Sequence, residues 1–287
     1  MSFPLPTTLS PSKVSTFKDC ALAFRFSAID KLPEPPSAPA VKGSLVHRAL
    51  ELLFAAKPHE RTRELATECL DRASREFLAN PEFVGLELDE LATGEFLADA
   101  AVMVDRYFQL EDPTAFDPIG IELMLSAKVG DLLLRGIIDR LDLDADGELI
   151  VTDYKTGRVP SEKQEMSRLG GVQFYAFLCE RLFGRRPAKV QLIYLGANPQ
   201  IIIATPTEQS ITGLEKRVQA IWTAVERACA QEDFRPKQSM LCNWCSFKEY
   251  CPAFGGDPEA ARLISLVSSP EPTATPAPTP TPTPAPA

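Results

Sequence analysis

Apolar residues recur at helical spacing through Leu45, Ala49, Leu52 and Leu53, again from Leu65 to Phe77, and again from Phe96 to Phe108. The first part of the chain is therefore predicted to be mostly helical, its first long helix beginning near Lys42 to Ser44. The preceding LPEPPSAPA, residues 32–40, reads as an exposed connection. At Ile119 the pattern changes. IGIELMLSAKV, DLLLRGIIDRLDLD and GELIVTDYKTG are short apolar runs broken at Gly130-Asp131 and between Asp144 and Gly147, which predicts three consecutive antiparallel strands. A helix over roughly 162–183 follows, then strands at 189–195 and 201–205, then a helix from Glu208 to about Ala230. Helices, a strand cluster and then alternation predict an α/β fold with a mixed central sheet flanked by helices. The end of the chain has eight prolines in the eighteen residues from Pro270, so 268–287 reads as a disordered or polyproline tail.

With 287 residues, 45% of them hydrophobic, the chain can bury a substantial core. No apolar run approaches the roughly 20 residues of a membrane span, and MSFPLPTTLSPSK lacks the cationic and apolar segments of a secretory leader. Seven cysteines are too sparse for a disulfide scaffold and fit a reducing cytoplasm, with thiols free for metal. The net charge of −9 argues at first against a polyanionic partner. Its distribution softens that argument. Residues 60–120 hold fifteen acidic groups against five basic ones, whereas 154–190 hold eight basic against three acidic, so a solvated acidic lobe and a basic groove are open to the chain, although a charge run is more often a wet helix face.

The candidate chemistry lies in GIIDRLDLDADGELIVTDYKTG, residues 136–157. Asp153 and Lys155 are two apart on one predicted strand and share a face, and the hairpin carries Asp139 alongside. Two hard carboxylates suit Mg²⁺ or Mn²⁺, and an amine beside them can orient an attacking hydroxide or neutralise developing charge. A surface salt bridge between Asp153 and Lys155 is the competing reading. Leu149, Ile150 and Val151 immediately before Asp153 give the strand a buried character instead.

These residues resemble the RecB-like branch of the PD-(D/E)XK nuclease superfamily. Its G-x-x-x-H, G-x-x-D-R-x-D and D-Y-K-T-G motifs are matched in order by Gly43 to His47, Gly136 to Asp142 and Asp153 to Gly157. The resemblance implies a restriction-endonuclease-like core over about 41–232 with a helical insertion near 60–115. It also implies that His47, Asp139 and Asp153 bind one or two cations, with the Tyr154 carbonyl completing the set and Lys155 as the catalytic amine. Tyr175 matches the tyrosine of the family's Q-x-x-x-Y motif, but Gly171 stands at the glutamine position and Gln173 is displaced.

Cys242, Cys245 and Cys251 cluster near the end, while Cys69, Cys179 and Cys229 lie in apolar helical settings that suggest buried thiols. Cys20 follows Ser12 to Phe17 in a pattern that resembles the first cysteine element of iron-sulfur RecB-like nucleases. That subgroup implies a terminal subdomain in which Cys20, within residues 1–31, joins the three cysteines of 233–256 around a [4Fe-4S] cluster. Four thiolates equally suit tetrahedral Zn²⁺. The family implies a metal-dependent DNA exonuclease of repair or recombination, acting on single-stranded or frayed ends. A CRISPR-associated spacer-trimming nuclease shares the motifs, and Gly171 with the acidic total charge also admits a DNA-binding module of impaired catalysis. No Gly-Lys-Ser/Thr phosphate loop is present, so any unwinding falls to a helicase partner.

Overall fold

The computed structural model describes residues 2–159 and 162–262, the side chains of 162–170 and 172 excepted. The expected tail at 268–287 lies outside the described residues. Thr8–Leu9 forms a short strand, β1, before helix α1, Pro11–Asp19, which starts where the Ser10 side chain accepts the Lys13 N–H. A short helix α2, Ala21–Phe24, continues as a π-helical turn over Arg25–Ile29. The long helix α3 spans Ala38–Phe54. It begins earlier than the expected Lys42, inside the proline-rich connection, because Pro39 falls in the first turn, where its missing N–H costs no hydrogen bond. Leu32 in the same connection is buried rather than exposed.

Three helices follow: α4, Arg63–Leu78; α5, Pro81–Val84; and α6, Glu90–Tyr107. Thr62, Asn80 and Asp89 cap their N-termini by accepting backbone N–H groups. The three consecutive strands are β2, Gly120–Val129; β3, Leu132–Leu143; and β4, Leu149–Lys155. Then come helix α7, Glu162–Phe183; strands β5, Lys189–Tyr194, and β6, Gln200–Ala204; and helix α8, Glu208–Gln231.

The sheet is mixed. Strand β3 pairs antiparallel with β2 along one edge and with β4 along the other, β4 runs parallel to β5, and β6 closes the far side antiparallel. The parallel pairing of β1 with Leu133–Leu134 had no counterpart in the hydrophobic pattern, since two residues carry no periodicity. One apolar layer joins β3, β4 and β5 to α7, α8 and both chain ends, through Leu141, Val151, Phe177, Val218, Phe26 and Phe247. On the other face, α3, α4 and α6 pack with Tyr154, Ile193 and Leu195. The motif glycines explain how the layers close. A Cβ on Gly43 would lie 3.1 Å from the Thr156 hydroxyl, and one on Gly136 would lie 3.2 Å from the Tyr175 ring, so α3 and α7 approach the sheet where side chains would hold them off.

Arg140 ties the helical layer to the sheet. It is fully buried; its guanidinium donates to Asp142 at 2.8 Å, Glu111 at 2.9 Å and the Tyr154 hydroxyl at 2.9 Å. Gln191 donates to the same Glu111 carboxylate and to Thr152. Removing the guanidinium leaves two carboxylates buried with their main counter-charge gone. Arg140→Ala is therefore expected to cost about 3–5 kcal/mol in urea unfolding. A loss within the roughly 1 kcal/mol typical of exposed pairs would show that this network is not what holds the layers together.

Candidate metal centre

Register builds the site. Arg140 pairs with Thr152 across β3 and β4, so the next rung carries Asp139 and Asp153, and Lys155 follows two residues on. The Tyr154 N–H donates to Asp139 Oδ2 at 2.6 Å, which pins that carboxylate between the strands. The Lys155 ammonium lies 2.5 Å from Asp153 Oδ2. From α3, His47 donates Nε2–H to the Tyr154 carbonyl at 3.0 Å. Its Nδ1 thereby faces Asp139 Oδ1 at 3.5 Å and Glu122 Oε1 at 4.0 Å. A fixed tautomer with the other nitrogen turned toward carboxylates is the second-shell arrangement of many metal-binding histidines.

Glu122 was not singled out from the sequence. His47, Glu122 and Asp139 offer ligand atoms all within 4.8 Å of one another, making a nitrogen and oxygen set suited to a hard cation. Glu122 has φ of 47°, a left-handed conformation in mid-strand. There the alternation slips. Leu123, Leu125 and Ala127 pack toward α7 and α8, whereas Ile121 joins the opposite layer. The same change occurs on β3 between Ile138 and Arg140, which contacts Tyr107 and Tyr154 of the opposite layer. Glu122 and Asp139 thus sit where both strands exchange faces. Strain of this kind concentrates at functional positions. The positive φ was the only backbone feature that distinguishes this glutamate from its neighbours, and no local sequence pattern announces it.

The electrostatics are those of crowded anions awaiting positive charge. Burial, reinforced by Asp139, raises the Glu122 carboxyl to about 7. Burial raises Asp153 as well, against the attraction of Lys155. For His47 burial opposes the charge, but Asp139, Asp153 and Glu122 outweigh it and raise the imidazole. Lys155 is likewise raised, Asp153 overcoming desolvation.

The remaining sequence candidates separate into two groups. Tyr175 stands beside this site: burial raises its phenol, and it hydrogen-bonds Asp153. Gln173 does not, because its side chain accepts from Arg217 of α8. Helix α7 runs unbroken through Gly170 and Gly171, so the glycine pair does not swing Gln173 toward the carboxylates. Cys20, Cys242, Cys245 and Cys251 line a separate cavity of about 250 Å³ between the chain ends. Burial raises the Cys245 thiol, and the other three are close enough to raise it further. Cys69, Cys179 and Cys229 are buried in the apolar layers. In the basic run of 154–190, Lys155 pairs with Asp153, Arg181 with Glu215, Arg185 with Glu148 and Arg186 with Glu180, which offsets half of its eight positive charges.

Fold and site together define a nuclease scaffold. Residues 8–252 match the PD-(D/E)XK nuclease superfamily, and the chain belongs to it. A Eubacterium rectale protein provisionally named an exonuclease, 11% identical, shares the fold with a TM-score of 0.53, over 83% of this chain and 87% of its own. The structure of SSO0001, 13% identical, aligns over 87% of this chain and 88% of its own with a TM-score of 0.43. No curated protein matches this chain. Among the described residues no helix is long and apolar enough to cross a membrane.

Because the folded-state pKa values of Glu122 and His47 are both raised, each favours the protonated form, and the stability they contribute is present at low pH and lost as pH rises through the folded values. Cation-free protein is therefore expected to lose melting temperature between about pH 5 and 8. Mn²⁺ should raise it more at pH 8 than at pH 5, and a calorimetric series measures both. Glu122→Gly is expected to keep or raise the cation-free melting temperature, since glycine tolerates φ of 47°, while shrinking the Mn²⁺ shift. An undiminished shift would remove Glu122 from the ligand set.

Proposed function

We propose that this protein is a RecB-like, metal-dependent deoxyribonuclease with exonucleolytic action on single-stranded or frayed DNA ends, working in repair or recombination in the cytoplasm. The observation that carries this reading is the meeting of His47 from α3 with Asp139 from β3 and Glu122 from β2, beside Asp153 and Lys155 of β4. His47, Glu122, Asp139 and Asp153 would hold Mg²⁺ or Mn²⁺. A bound divalent cation supplies an acidified water and neutralises charge on a phosphoryl oxygen. Lys155, held at the Asp153 carboxylate, stands ready to orient the attacking water or to meet negative charge on the phosphate. Tyr175 steadies Asp153 from α7. A helicase partner would supply any unwinding.

The same reading places a [4Fe-4S] cluster between Cys20, Cys242, Cys245 and Cys251. Two features support it. The Ser239 N–H donates to the Cys242 sulfur at 3.4 Å, and the Phe247 backbone does the same for Cys245. The four thiols line one cavity, and four thiolates there suit tetrahedral Zn²⁺ as well.

End-labelled single-stranded DNA is expected to be degraded with Mn²⁺ or Mg²⁺ and to survive in EDTA. Asp153→Ala and Lys155→Ala should each lower turnover at least a hundredfold with the fold intact by circular dichroism. Salt-sensitive DNA binding without turnover in any divalent metal would instead assign the chain to DNA binding alone. Anaerobically purified protein is expected to be brown and to bleach on reduction; a colourless protein with stoichiometric zinc would overturn the cluster.

A further inference from the structure

Beyond the slipped rung, the β2–β3 hairpin leaves one face uncovered. Its rungs pair Met124 with Ile137, Ser126 with Arg135 and Lys128 with Leu133. On the reverse face, Leu125, Ala127, Leu134 and Ile138 are buried in the core under α7 and α8. On the open face Met124 is 51% and Ile137 45% exposed, and Ser126, Lys128 and Arg135 are exposed too. The rung following Met124 and Ile137 is that of Glu122 and Asp139. The open face therefore runs straight into the metal centre.

Its charges are unspent. Arg135 donates only to the Met124 thioether, a weak acceptor, and has no carboxylate partner among the described residues. Lys128 has no ion pair among them either. Elsewhere Arg48, Arg63, Arg140, Arg181, Arg185 and Arg186 are each held by an acidic side chain, whereas Arg106, Arg217 and Arg227 bond neutral groups away from this face. On a chain of net charge −9, a strip with two unpaired cations along its rungs, and a carboxylate only at its outer turn in Asp131, is complementary to a polyanion.

We propose that this strip is a track for single-stranded DNA leading to the metal centre. Each rung advances about 6.8 Å, so Arg135 stands roughly 14 Å and Lys128 roughly 20 Å from the Glu122 and Asp139 rung, a reach of a few nucleotides. The exposed aliphatic side chains of Met124 and Ile137 offer the bases an apolar bed between the cations and the cut. Two strands about 4.8 Å apart make a strip one nucleotide chain wide. Across the rung, α3 presents the small residues Ala40, Gly43 and Ser44 next to His47, in a cleft of about 410 Å³ that lets a sugar-phosphate backbone come close. The track rests on the nuclease reading for its direction, but its binding is separable from turnover.

The test is fluorescence anisotropy of a labelled oligothymidylate in EDTA, with full-length protein across a salt series. Lys128→Ala with Arg135→Ala is expected to weaken binding about tenfold and to flatten the log-log salt dependence by about 1.4, ~0.7 for each lost phosphate contact on a single strand. Ile137→Asp should weaken it further, while Arg227→Ala on α8 leaves it unchanged. The Mn²⁺ melting shift of the double variant should match wild type, because no proposed ligand is altered. Unchanged affinity and salt slope in the double variant, with wild-type KM in the nuclease assay, would sink the track and leave the nuclease reading standing. Arg135-dependent binding without turnover in any metal would support the track and remove the nuclease reading. A concentration-dependent dimer broken by Ile137→Asp, with oligothymidylate binding intact, would give the face to a second copy and overturn the proposal.

Discussion

The hydrogen bond from the Tyr154 N–H to Asp139 Oδ2 is the constraint on which the site depends. It fixes β3 and β4 in register at the point where β3 is changing faces, and it uses one carboxylate oxygen so that the other is turned to His47. The Tyr154 carbonyl completes the arrangement by accepting the imidazole. One peptide unit of β4 therefore orients both a carboxylate from the neighbouring strand and a histidine from a distant helix. Side chains placed by a shared backbone unit lose little freedom on binding a cation, which is the meaning of preorganisation here.

Asp139 and Arg140 are adjacent, yet they serve opposite layers. Arg140 holds the helical layer through Glu111, whereas Asp139 belongs to the cluster it forms with His47 and Glu122. The two roles differ in what a cation does for them. Arg140 already supplies positive charge to Glu111 and Asp142, so the counter-charge of that network is built into the folded chain, with Asp142 Oδ1 buried and unpartnered. Around His47 the carboxylates outnumber the available positive charge, and burial lifts Glu122 to about 7. A polar network short of counter-charge is costly to keep without a ligand, and it is a reason to expect one.

The long elements were legible because their periodicity is local. Gly43 and Gly136 of the motifs stand at close approaches, where a Cβ would press on the Thr156 hydroxyl and the Tyr175 ring. Three features escaped. Helix α3 begins at Ala38 because a proline that ends one pattern is tolerated in the first turn of the next. The basic run of α7 and its following loop admitted a groove in the charge count, but Glu215 of α8 meets Arg181 and Glu148 of the turn before β4 meets Arg185, a long-range pairing that counting cannot see, while Glu180 of α7 itself meets Arg186. Glu122 escaped because its nearness to Asp139 depends on strand register and on a φ of 47°, and neither is written in the residues around it.

The cysteine segment lies where the two ends of the described fold meet. Arg25, buried, donates to Asp30 and Glu259, each at 3.0 Å, and the Phe3 N–H reaches the Cys229 carbonyl, so the first thirty residues and the stretch after α8 close on the same core. Between Met240 and Phe254 the chain runs as three short 3₁₀ turns with no buried residue in any of them, and it meets the core through buried Phe247 and the partly buried Cys245, Tyr250 and Cys251. Met240 and Trp244 are 73% and 75% exposed. Two of its three cysteines lie against the core, and all three share one cavity with Cys20 of the N-terminal segment, so the few contacts that hold the segment also bring the four thiols to one place.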